Sequence, residues 1–207
     1  MKKIFYNLIF LLCFLNITGV SEALISKSTL QNLFNESQVN EQKIISKPVL
    51  LAAKTKTKNV NTNRAEKIRK ISSLFIKVNP ALKKSDSEKY ASNVMEASEK
   101  FGQDPYVIAS IIVHESTVNN KAISKGGDYG LMQVRWKVHE SEIKKRFPDV
   151  KNAKSMFDSR INILYGTEIF AQCMSKTNNT EKALLKYSSG SKKLTSKVLR
   201  TLKDLNK

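Results

Sequence analysis

Glu115 is the side chain whose placement most directly permits chemistry. With Ile108 at zero on a helical wheel of about 100° per residue, Ile111 falls near 300°, Ile112 near 40° and Glu115 near 340°. The carboxyl thus lies within an apolar stripe. There it is desolvated, its pKa rises, and it holds a proton near neutral pH for donation as a general acid. The competing reading is that Glu115 marks the frayed end of the stripe, where ion pairs and helix termini also place carboxylates. His114, near 240° on the same wheel, falls on the flank of the helix.

Other catalytic arrangements fail on spacing. His114-Glu115 begins like a zinc-protease motif, but the residue four positions after His114 is Val118, and after His139 it is Ile143. Zinc ligation on one helical face needs a second histidine there. Neither a phosphate-binding Gly-x-x-x-x-Gly-Lys loop nor a Gly-x-Ser-x-Gly elbow occurs. Neither a metal nor another cofactor is expected. Cys173 with a histidine could form a nucleophilic pair, but its helical register with Ile169 favours a buried core thiol.

After Glu115, residues 121–133 read Lys-Ala-Ile-Ser-Lys-Gly-Gly-Asp-Tyr-Gly-Leu-Met-Gln. Glycines let a backbone approach a ligand closely, and the Gln133 amide can bond sugar hydroxyls or an acetamido group in both directions. The plain alternative is a tight connection between helices, with Met132 a core gap-filler.

The elements that must position these residues are helical. Ile68, Ile71, Leu74, Phe75 and Val78 repeat at helical spacing from about Ala65 and stop at Asn79-Pro80. Ser85 and Glu88 have the spacing of a capping box opening a second helix, which Gly102 can close. Asp104-Pro105 supplies an N-cap and a first-turn proline for a third, through Ile108, Ile111 and Ile112. Further helices are predicted over 136–147, from Asp158 through Cys173, over 180–187, and through Leu194, Val198, Leu202 and Leu205. No sustained alternation of period two appears, so the fold class is mainly α.

Residues 1–23 have the layout of a secretory signal peptide: Lys2-Lys3, an apolar run from Ile4 to Leu15, and Ser21-Glu22-Ala23 before the cut. An uncleaved membrane anchor is the alternative, since the uncharged stretch of about 18 residues is barely long enough to span. Cleavage removes Cys13 and leaves Cys173 unable to form an internal disulfide, so a hydrophobic core must hold the domain. Residues 24–65, with Lys54-Thr55-Lys56-Thr57-Lys58, read as a flexible basic polar linker, and 66–207 as the folded domain.

The 207 residues carry a net charge of +18 and are 41% hydrophobic, which excludes a charge-rich disordered chain. Seven basic residues face two acidic ones in 24–65, and 27 face 15 in 66–207, so linker and domain share the excess. Such a balance fits an anionic partner: nucleic acid, membrane or acidic polysaccharide. Export argues against nucleic acid, and the aromatics are not interleaved with Lys and Arg as a stacking platform requires.

His114-Glu115-Ser116, Ala122-Ile123-Ser124, Gly130-Leu131-Met132-Gln133, Phe157-Asp158 with Asn162-Ile163 and Gly166, and Tyr187 to Gly190 occur in an order and spacing that resemble the lytic transglycosylase catalytic domain. That family has a lysozyme-like fold related to goose-type lysozyme, and the resemblance covers roughly 104–190. It implies peptidoglycan glycan strands as substrate, and cleavage of the β-1,4 bond between N-acetylmuramic acid and N-acetylglucosamine with formation of a 1,6-anhydro ring. Glu115 would be the single acid and base and Ser116 would orient it or a sugar. Met132 and Gln133 would line the cleft, Tyr187 would hydrogen-bond the glutamate, and Asn162 would be structural. The family's usual Tyr-Asn-Ala-Gly is here Tyr187-Ser188-Ser189-Gly190, so the shorter Ser188 stands where an asparagine contacts the sugar.

Asp128 is the candidate second carboxylate for a lysozyme-type hydrolysis, and its plainer role is a helix N-cap. A non-catalytic wall-binding module is a further alternative. The resulting expectation is an exported, periplasmic or extracellular monomer acting on anionic cell wall. It does not bind nucleic acid, and envelope-spanning machinery is a candidate partner.

Overall fold

The computed structural model describes residues 48–207, with side chains from 62 onward. The signal-peptide segment 1–23 and linker residues 24–47 lie outside the described residues. Seven helices follow in order: α1 (Pro48–Val78), α2 (Lys84–Phe101), α3 (Pro105–Ser116), α4 (Trp136–Arg146), α5 (Ser159–Thr177), α6 (Thr180–Tyr187) and α7 (Lys192–Leu205). Between α3 and α4 lies a two-stranded antiparallel hairpin, β1 (Asp128–Tyr129) and β2 (Val134–Arg135), and a 3-10 turn at Ala153–Phe157 precedes α5. The chain is mainly α, as its periodicity predicts, and strands of two residues are too short to leave an alternating pattern.

Local chemistry accounts for most helix boundaries. The Asp104 side chain accepts from the Tyr106 amide at 2.8 Å with Pro105 in the first turn of α3, and Asp158 accepts from the amides of Arg160 and Ile161 at the start of α5. Both relieve donors that a helix leaves unpaired at its first turn. Gly102 ends α2 at φ +64, a conformation that costs glycine little.

Two boundaries differ from the sequence reading. Helix α2 starts at Lys84 after Lys83, which makes no side-chain cap, so Ser85 lies inside the first turn and the capping box is not formed. Helix α1 reaches back to Pro48, so 48–65, read as part of a flexible linker, is helical. Its Lys-, Thr- and Asn-rich sequence has no apolar stripe. It extends a helix whose packed end is anchored by fully buried Ile71 and Phe75, and propagating a helix is easier than nucleating one.

Residues Thr57–Lys207 form one unit, and α5 runs through it. Helix α2 packs along one side of α5 and α6 along another, while α3 packs on α7. Ile108, Ile111, Ile112, Ile163 and Phe170 are essentially fully buried where these helices meet. Burial of each such side chain contributes about 1.5–3 kcal/mol. Polar contacts fix the register of α2 on α5: buried Asn93 donates to Ser159 at 3.0 Å, and Arg160 forks onto Glu96. Cys173 is a buried free thiol, the core role its register suggests. No helix among the described residues is long and apolar enough to cross a membrane.

Candidate active site

Glu115 occupies the last turn of α3, a helix that is closed at this end and not frayed. The Thr117 amide returns to the Val113 carbonyl at 3.2 Å, and Thr117 and Val118 then turn into left-handed backbone at φ +53 and +59. Such angles are unfavourable for β-branched residues. Buried Val118 is held there by neighbours, among them Asn79, whose amide donates to its carbonyl at 3.3 Å. The chain therefore leaves the helix abruptly, one residue after the glutamate and its neighbour Ser116.

The next wall is the Gly130–Gln133 turn that closes the hairpin. Fully buried Asn162, on α5, accepts from the Met132 amide and donates to the Tyr129 carbonyl, both at 2.8 Å. Gly130 has φ +77, and a Cβ there would stand 2.4 Å from the Asn162 amide nitrogen and from the Met156 carbonyl oxygen. A Cβ on Gly166 would stand 2.7 Å from the Met132 Cβ and Sδ. Two glycines and one asparagine thus allow the turn to lie directly on α5.

Glu115 and this wall bound a cleft of about 320 Å³, lined also by Asp128, Gln133, Arg135, His139, Tyr187 and Ser188. Burial, and secondarily the negative charge of Asp128, push the Glu115 carboxyl up from an ordinary 4.5 to about 7. No hydrogen bond or ion pair engages that carboxyl among the described residues. An unpaired carboxyl of this kind can both give and take a proton near neutral pH.

Asp128 is the opposite case. It sits in β1 directly across from Arg135 in β2, and so does not cap a helix. Arg135 forks onto both its oxygens at 2.6 and 3.1 Å, and Ser124 donates to one of them at 2.7 Å. The Arg135 hydrogen bond, with help from Ser124, holds Asp128 below the usual carboxylate range against the effect of burial. It is therefore a fixed negative charge of low basicity.

The other predicted site residues separate by geometry. Gln133 lines the cleft, but its amide NH2 donates inward to the Gly130 and Ala122 carbonyls at 2.9 and 3.3 Å. Only the acceptor oxygen remains for a ligand. Ser188 also lines the cleft, with its hydroxyl donated to the Leu184 carbonyl at 2.8 Å.

Three expectations are corrected. Met132 is fully buried against Gly166 and does not line the cleft, because an apolar type at a turn does not reveal which side it faces. Ser116 is buried and donates back to the Ile112 carbonyl at 3.1 Å, so its hydroxyl does not reach the glutamate. Tyr187 lines the cleft, yet its hydroxyl donates to the Met132 carbonyl at 2.7 Å instead of to Glu115. Burial, then the charge of Glu115, hold that phenol well above its ordinary pKa, so it remains a donor.

Arg135, Val138, His139, Ile169, Ser189, Ser191 and Leu194 also line the cleft, and sequence reasoning missed them. Arg135 and Val138 follow the Gly-Leu-Met-Gln turn closely, and that proximity is the signal that could have found them. His139 lies near Tyr165, 3.3 Å from ring Nδ1 to hydroxyl, and burial lowers its pKa. Among the described residues no cluster of three or more His, Cys, Asp or Glu suited to a metal occurs.

A helical domain that holds an unpaired, largely buried carboxyl at the end of a core helix, beside a turn pinned by glycine and asparagine, is of the lysozyme-like class. Residues 92–205 match the Transglycosylase SLT domain family. That span is more than half of the chain, which therefore belongs to this family of lytic transglycosylases acting on peptidoglycan.

Proposed function

We propose that the protein is an exported enzyme that cleaves the β-1,4 bond from N-acetylmuramic acid to N-acetylglucosamine, with Glu115 as the only acid and base. The unpaired Glu115 carboxyl, raised to about 7 beside a firmly ionised Asp128, carries this reading. Glu115 donates its proton to the glycosidic oxygen as the C1–O bond breaks, and the substrate's acetamido oxygen stabilises C1. The carboxylate then removes the proton of the muramyl C6 hydroxyl, and O6 bonds to C1 to close the anhydro ring. The proton returns to Glu115 and water is not consumed. Ordinary glycosidases use two carboxylates, about 5 Å or about 6.5–9.5 Å apart, with substrate-assisted enzymes as exceptions. The free amide oxygen of Gln133 suits a sugar N–H or hydroxyl, and Ser188 offers only an acceptor where an amide usually stands.

The second reading is lysozyme-type hydrolysis, favoured by the presence of Asp128 in the cleft wall. Its oxygens are already engaged by Arg135 and Ser124, which makes it a poor base for water. Digestion of purified sacculi followed by mass spectrometry of the muropeptides separates the two. Anhydro ends support the transglycosylase, and ends carrying an added water support hydrolysis. Sacculi bound without any release, with Glu115→Gln indistinguishable from wild type, would leave only a wall-binding module. Export is tested by the N-terminal residue of the mature protein, expected at Leu24.

A further inference from the structure

Helix α7 joins the cleft to a strongly basic surface. Its capping residue Ser191 and its first-turn Leu194 line the cleft. Lys192, Lys193, Lys197, Arg200 and Lys203 are all exposed, and at about 100° per residue they fall within an arc of about 140°. At about 1.5 Å per residue the strip extends roughly 16 Å along the helix. None of the five is ion-paired among the described residues. The one acid of α7, Asp204, is taken by Lys207 at 2.8 Å.

The contrast with the rest of the domain is local. Helix α4 also ends in three cations, but Lys144, Lys145 and Arg146 meet Glu140, Glu142 and Glu168. On α7, Lys193 and Lys197 are four apart, while Lys197, Arg200 and Lys203 follow at intervals of three, spacings at which like charges repel and destabilise an isolated helix. The charge of one of these cations, Lys197, acts on His114. His114 lies beneath α7, its Nε2 2.8 Å from the Thr201 hydroxyl, and its pKa is lowered by burial and then by Lys197. A face of uncompensated cations that begins at the cleft is complementary to anions carried by whatever occupies the cleft.

We propose that this face of α7 is a docking strip for the carboxylates of the stem peptides borne by the glycan strand. The inference rests on the cleft being the glycan site. The strip would hold a peptide-bearing strand as it leaves the cleft past Ser191 and Leu194, so it selects peptide-substituted glycan over bare glycan. Its attraction is electrostatic and falls with ionic strength.

The test compares Lys193→Gln/Lys197→Gln/Arg200→Gln with Lys83→Gln/Lys89→Gln/Lys176→Gln, which removes equal charge from exposed, unpaired lysines elsewhere. Binding to intact sacculi and to amidase-stripped glycan strands is measured by sedimentation in a Glu115→Gln background, at low and high salt. The α7 variant is expected to bind intact sacculi about tenfold more weakly at low salt, to lose most of its salt sensitivity, and to bind stripped strands like its parent. Unchanged binding to intact sacculi overturns the proposal. So does an equal loss on stripped strands or in the control variant, either of which reduces the effect to net charge. Turnover of sacculi by the protein with Glu115 present is read separately. Its absence sinks the cleft reading while the binding comparison still reports on the strip.

Discussion

The hydroxyl of Tyr187 donates to the backbone carbonyl of Met132 at 2.7 Å, which ties the end of α6 to the turn forming one wall of the cleft. The phenol ring also meets Phe170 edge to face, with centroids 6.1 Å apart. Tyr187 therefore borders the Glu115 site while its hydrogen bond serves the wall. Tyr187→Phe keeps the ring and strands a carbonyl, which should cost about 1–3 kcal/mol in urea unfolding. It should lower turnover while leaving the alkaline limb of the pH profile in place. A limb displaced by that one hydroxyl would mean a direct bond to Glu115 after all.

The same wall depends on Asn162, which serves the Met132 amide and the Tyr129 carbonyl from a fully buried position. Asn162→Ala leaves both groups unsatisfied, and a loss of about 2–5 kcal/mol is expected. Gly130→Ala attacks the contact from the other side, forcing a Cβ to 2.4 Å from the Asn162 amide and the Met156 carbonyl. Gly102→Ala is its control, since Gly102 also has positive φ but open space around it. Gly102→Ala should cost about 1 kcal/mol, and Gly130→Ala several times as much, with loss of activity. Equal costs for the two glycines would remove steric crowding as the reason for Gly130.

What the sequence makes legible follows from how local each signal is. Asp104-Pro105 reads as a cap, and Asp158 as the start of a helix, because the residues they serve are two or three positions away. Glu115 was visible because three isoleucines define the face it shares. The hairpin pairing of Asp128 with Arg135 was not, since it depends on a register that brings residues seven positions apart into opposition. Met132 and Tyr187 illustrate a different limit. Their types and positions marked them for the site, but only the packing of Met132 on Gly166 and the hydrogen bond from Tyr187 to the Met132 carbonyl decide which atoms face the cleft.

The Asp128–Arg135 pair places a second, smaller influence on Glu115 beside that of burial. With Asp128 firmly ionised, its charge adds to the effect of burial in raising Glu115. Asp128→Asn removes that charge, so the Glu115 pKa falls. Donation to the glycosidic oxygen requires the protonated form, and the alkaline limb of kcat/KM should therefore move to lower pH. Activity at acidic pH should survive. If Asp128 instead activates water, Asp128→Asn should abolish release across the whole range.

Glu115 should also leave a thermodynamic signature that does not depend on substrate. Its pKa is about 7 folded against an ordinary 4.5, so the folded state binds the proton more tightly than the unfolded chain. The stability contributed by this proton is fully present below pH 4.5 and is lost as pH rises through about 7. A difference of about 2.5 units corresponds to a loss on the order of 3 kcal/mol. Glu115→Gln cannot ionise and is exempt. Thermal unfolding of wild type and Glu115→Gln should give similar Tm values near pH 4, with the glutamine variant pulling ahead as pH rises and the gap levelling off above about 7. A gap that stays constant from acid to alkaline pH would show that the carboxyl is hydrated in the folded state, and would remove the physical basis for its action as an acid.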